Sequence, residues 1–147
     1  MFKKILVATD GSPLSDKAIE CAIDMARQYR AELVVFTVAR RIAKSYMEGM
    51  MVQEAAESDL IDRQRLEKAQ ALVAAIAERA GALDVSCHPL VAHSNQVAES
   101  IIEAAGKQHC DLIVMASHGR RGLGRLLIGS ETQHVLTHST LPVLVLR

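Results

Sequence analysis

Short apolar runs that alternate with stretches of helical periodicity constrain this chain more than any other feature. "KILVAT" (4–9), "AELVVFTVA" (31–39), "DLIVMA" (111–116) and "LPVLVLR" (141–147) are rich in β-forming residues. Runs of this kind, with little polar alternation, suit strands covered on both faces. "LDVSCHPLVA" (83–92) alternates and reads as a further strand. After the first run, Ser12 is a good N-cap and Pro13 suits the first helical position. Ala18, Ile19, Ala22, Ile23 and Ala26 then fall on one face of a helix over about 13–29. A longer pattern over about 54–80 carries Leu60, Ile61, Leu66, Ala69, Leu72, Val73 and Ile76, with Gly81 as its stop. The spacing predicts further helices over 94–108, capped by Ser94 or Asn95, and over 130–138. Residues 40–53 have no clear period and read as an irregular or partly helical crossover. The order βαβαβαβαβ calls for a doubly wound α/β domain over 1–147, a parallel sheet with helices on both faces.

Composition narrows the function classes. Lys plus Arg and Asp plus Glu both number 17, so the formal net charge is zero. That argues against a general nucleic-acid binder and against a polybasic membrane-surface protein. Cys21, Cys87 and Cys110 are too far apart for a CxxC site and read as buried, inert thiols of a reducing cytosol. The opening residues are too brief for a signal peptide, and no apolar stretch reaches the length of a membrane span. The expected location is the cytoplasm.

In an open doubly wound sheet, ligands bind beyond the carboxyl ends of the strands, where the strand order reverses. Two stretches follow strand ends and carry chemistry. The first is Thr9-Asp10-Gly11-Ser12. Asp10 can accept hydrogen bonds from a ribose or an adenine amino group, or it can close an Asx turn within "TDGS". The second is "MASHGRRGLGRLLIGS" (115–130), with glycines at 119, 122, 124 and 129 and arginines at 120, 121 and 125. Glycine-rich backbone and the start of a helix at Ser130 can hold an anion, and the arginines can neutralise phosphate. The plain alternative is a connector, with Ser130 as N-cap and Gln133 completing a near capping box. Neither a P-loop nor a G-x-G-x-x-G pattern occurs. His134 and His138 lie four apart but read as surface residues, and Met47, Met50 and Met51 as flexible packing in the crossover.

These stretches together resemble the universal stress protein family, in its small single-domain, UspA-like class. The resemblance rests on "KILVATDGS", "DLIVMASHGRRGLGRLLIGS" and "LPVLVLR". Nucleotide-binding members carry G-x-x-G-x(9)-G-[ST]; Gly119, Gly129 and Ser130 match its later elements, and Ala116 replaces its first glycine. The family implies a five-stranded sheet of order 3-2-1-4-5, which would bring Asp10 and the 116–130 loop to one crevice. It further implies that Thr9 and Asp10 hold the base or ribose, that Val38 lines the adenine pocket, and that Met115 sits near the ribose. Gly119, Arg120, Gly129, Ser130, Glu131 and Thr132 would face the phosphates. At position 116 a methyl group costs affinity if φ is positive and almost nothing if it is negative. The implied cofactor is ATP or AMP, with Mg²⁺ as companion. The implied assembly is a homodimer through 141–147, and the implied role is a nucleotide-dependent sensor or regulator. Hydrolysis would be slow at most, since no general base or metal-binding carboxylate pair is evident. The rival reading is a nucleotide-free interaction module, favoured by Ala116; a dedicated phosphotransfer enzyme is a third.

Overall fold

The computed structural model describes residues 1–42, 52–119 and 128–147. Arg120, Arg121, Gly122, Gly124, Arg125 and Met47, Met50 and Met51 lie outside the described residues. The strands are β1 (Lys4–Ala8), β2 (Glu32–Ala39), β3 (Cys87–His93), β4 (Leu112–Ala116) and β5 (Val143–Leu146). They pair in parallel, in the order β3-β2-β1-β4-β5. The helices are α1 (Pro13–Tyr29), α2 (Val52–Gly81), α3 (Val97–Lys107) and α4 (Ser130–His138). At its start β1 is tied to β4 by Lys3 N–H, which donates to Asp111 Oδ2 at 2.7 Å.

The continuous apolar character of the central strands follows from a core on both sides of the sheet. Ile5, Val7, Leu33, Val35, Leu112 and Val114 pack with Ala18, Ile19 and Ala22 of α1 and Val73 and Ile76 of α2. The alternate residues Leu6, Val34, Phe36, Ile113 and Met115 pack with Ala98, Ile101 and Ala105 of α3 and Val135 of α4. Such two-sided burial needs apolar residues at both parities of the strand.

Several boundaries differ from the expectation. The strand expected from 83 begins at Cys87. Ala82 and Leu83 N–H still bond back to Glu78 and Ala80 carbonyls, and Asp84 adopts a left-handed φ of 60° before the chain can extend. The third helix starts at Val97, because Ser94 Oγ accepts Gln96 N–H in a local turn instead of capping the helix. In α2, Leu60 and Ile61 are exposed, and burial against the sheet is carried by Val73, Ile76 and Ala80. Only Cys110 of the three cysteines is buried; Cys21 and Cys87 are half-buried. Burial pushes the Cys110 thiol up to about 11, against the opposing pull of Lys4. Among the described residues no helix is long and apolar enough to cross a membrane.

Candidate functional site

The cleft opens where β1 ends, with β2 on one side and β4 on the other. The turn after β1 is heavily cross-linked. Thr9 N–H donates to Phe36 O at 2.9 Å, and Thr37 Oγ1 donates to Thr9 O at 2.6 Å. The Thr9 and Ser15 hydroxyls lie 2.9 Å apart, and Ser15 Oγ donates onward to Ser12 O at 2.8 Å. These hydroxyls are buried, and each finds a partner within the turn, as buried polar groups must. Gly11 takes a φ of 75°, a conformation a side chain would resist. Ser12 then caps α1, its Oγ accepting Ser15 N–H.

Asp10 takes the local role among the two that the sequence left open, with its second oxygen turned to the cleft. Its Oδ1 accepts Ser12 N–H at 2.9 Å, which is the Asx turn. Its Oδ2 faces the segment after β4: a Cβ placed on Gly119 would stand 2.6 Å from it. Glycine at 119 therefore answers a need for space. The closeness of Gly119 to Asp10 is the direct product of β1 pairing with β4.

The far wall is built by the two ends of the 116–130 segment. Ser117 N–H donates to Leu146 O, and Gly129 N–H donates to Ser117 O, both at 2.8 Å. A Cβ on Gly129 would press on His118 Cα at 3.3 Å, so the two ends approach closely because position 129 is bare. Thr132 is buried, and its hydroxyl donates to Ala116 O at 3.0 Å. It holds the wall together. Ser130 is the first residue of α4 and Gly129 its N-cap, so the expected Ser130 cap is absent and, among the described residues, no side-chain cap bond is made. Glu131 Oε2 accepts Ala98 N–H at 3.0 Å at the start of α3, while Oε1 lies 3.5 Å from Arg40 Nη2. Among the described residues, positive φ outside glycine occurs only at Arg30, Asp84 and His109, so the Ala116 methyl brings no backbone strain.

A cleft of about 1130 Å³ joins these parts. Thr9, Asp10, Val38, Met115, Ala116, Gly119, Gly129, Ser130, Glu131 and Thr132 all line it. Arg120 lies outside the described residues. The cleft also takes in residues that the sequence did not single out: Thr37 and Arg40 from β2 and the residue after it, Val97 and Ile101 from α3, and Arg65, Lys68, Ala69 and Leu72 from α2. The α2 set has spacing i, i+3, i+4, i+7, so it is one helix face. His134 and His138 are engaged elsewhere. Their rings stack at 4.0 Å, His134 Nε2 meets Glu99 Oε1 at 3.3 Å, and His138 Nδ1 lies 3.0 Å from His134 O.

Comparison with known proteins agrees with this architecture. Residues 1–147 match the Universal stress protein family. The universal stress protein YxiE of Bacillus subtilis is 31% identical over 149 residues, which span the whole of both chains. Universal stress protein UspA from Lactobacillus plantarum has the same fold, with a TM-score of 0.84 at 22% identity over 99% of this chain and 97% of that one. A universal stress protein from Archaeoglobus fulgidus, crystallised in complex with dAMP, superposes with a TM-score of 0.61 at 16% identity over 99% and 98% of the two chains. With its strand order, its full-length family match and a relative aligned from end to end, the chain belongs to the universal stress protein family.

Proposed function

We propose that this protein binds ATP or AMP in the cleft between Asp10 and the glycine-bearing wall, and that occupancy regulates the surface it shows to partners in the cytoplasm. The observation that carries the reading is the approach of Gly119 to Asp10 Oδ2, which joins two distant stretches at the switch point of the sheet. The base lies against Val38 and Met115, the sugar at Asp10, and the phosphates at Gly129, Ser130 and the first amides of α4. Support comes from the Archaeoglobus fulgidus relative of the same fold, crystallised with dAMP. Mg²⁺ would arrive with the polyphosphate, since the described residues hold no cluster of three metal-ligating side chains. Hydrolysis is slow at most, and the protein is a binder before it is an enzyme. Calorimetry with ATP, ADP and AMP tests the reading: saturable heat supports it, and no heat at millimolar nucleotide from folded protein overturns it.

The chain also assembles as a homodimer through β5 in this reading. Among the described residues β5 is an edge strand, paired only with β4. Pro142 and Leu146 carbonyls accept from Ile113 and Ser117 N–H, so the backbone groups of Val143 and Val145 face the open edge. An apolar edge of this kind favours pairing with a second copy about a two-fold axis. Val145→Pro removes an outward donor and leaves the β4 ladder intact. In sedimentation it should convert a dimer into a folded monomer; a wild-type monomer would refute the assembly.

A further inference from the structure

The α2 face on the cleft is graded from apolar to basic. Leu72 and Ala69 are half-buried, and Lys68 and Arg65 are exposed. Two carboxylates near these cations have other partners. Glu131 pairs with Arg40 at 3.5 Å, and Asp62, one turn before Arg65, accepts Ile42 N–H at 2.8 Å. Arg65 makes one long contact, to Arg40 O at 3.4 Å, and Lys68 has no ion-pair partner among the described residues. Two cations with no ion-pair partner among the described residues therefore border the cleft on the α2 side. The cleft, at about 1130 Å³, exceeds the roughly 300–1,000 Å³ of an ordinary small-molecule pocket.

We propose that Arg65 and Lys68 form a second anion subsite, so that the cleft prefers nucleotides with a second phosphate on the sugar side, separated from the 5′-phosphate. The inference rests on the nucleotide reading above. With the sugar at Asp10 and the 5′-phosphate at α4, a group on the opposite side of the ribose points toward α2. Arg65 supplies a forked donor and Lys68 a mobile point charge, and both suit a terminal phosphate. The class is a 3′-phosphorylated nucleotide or a linked bis-nucleotide.

The test uses three probes on the full chain: AMP, ADP and adenosine 3′,5′-bisphosphate. ADP and the bisphosphate carry the same number of phosphoryl groups in different places. Calorimetry should show the bisphosphate binding about tenfold more tightly than AMP and more tightly than ADP. In the double variant Arg65→Ala with Lys68→Ala, the ratio of AMP to bisphosphate dissociation constants should fall to about one. If AMP binds and the bisphosphate binds no better, the subsite is refuted while the nucleotide reading stands. It is refuted equally if the preference survives in the variant, or if AMP binding is lost with it. If no nucleotide binds, both readings fail.

Discussion

The N-termini of α1, α3 and α4 meet at the cleft, and they are finished in different ways. The start of α1 is closed by its own sequence, with Ser12 Oγ accepting Ser15 N–H. The start of α3 is filled from outside by the Glu131 carboxylate, which accepts Ala98 N–H. The start of α4 has Gly129 as cap and, among the described residues, no side-chain cap bond. First-turn amides have no partner within their helix, and their dipoles favour an anion. Two of these three helix starts have a side-chain acceptor, from Ser12 and from Glu131, and the third has none among the described residues. The contrast sets a turn that fixes Asp10 against a helix start that, in the proposed reading, receives the phosphate.

The contrast can be broken in graded steps. The largest effect is expected from Gly119→Ala, which sets a methyl 2.6 Å from Asp10 Oδ2. Either the carboxylate or the wall must shift, at about 2 kcal/mol, so AMP affinity should fall roughly thirtyfold by calorimetry. Gly129→Ser would give α4 the cap that α1 already has. Affinity for AMP should drop about tenfold because the new hydroxyl occupies the amides that the phosphate needs, and the melting temperature should fall by about 2 °C because the added Cβ presses on His118 Cα at 3.3 Å. Ser12→Ala should leave AMP affinity nearly unchanged while costing about 1 kcal/mol of stability and lowering the melting temperature by about 3 °C. Glu131→Gln should be mildest. It removes a half-exposed pair with Arg40 and a charge at the α3 start, together about 0.5 kcal/mol in denaturant unfolding, and less at high salt.

The frame of this molecule was readable because its signals are local. Ser12-Pro13 and the apolar stripe after it mark α1 from Pro13 to Tyr29 without ambiguity. Boundaries were lost where a polar side chain chose a neighbour in the turn over the helix. Ser94 bonds Gln96 N–H, and α3 therefore starts at Val97. At α4 a serine beside a glycine pointed to the wrong cap. In the cleft, the strand-end residues could be placed because the sheet rule says where a doubly wound fold binds. Arg65 and Lys68 could not, since on a helix with many charges a basic pair looks the same whether it faces water or a cleft. Only the docking of α2 across β2 and β3 distinguishes the two. The exposure of Leu60 and Ile61 was hidden for the same reason, because periodicity reports a stripe and not which of its residues are covered.

The insertion of β1 between β2 and β4 also has a consequence in time. The bond from Lys3 to Asp111 spans 108 residues, and β1 has its second neighbour only when β4 exists. Local hairpin-like pairing cannot assemble this centre, so the search for it is slow and belongs to the late stage of folding. On the ribosome, β1, α1 and β2 can form an early unit, but Asp10 meets Gly119 only after most of the chain has emerged. Competence of the cleft is thus a report on completion: a truncated or half-folded chain cannot display it.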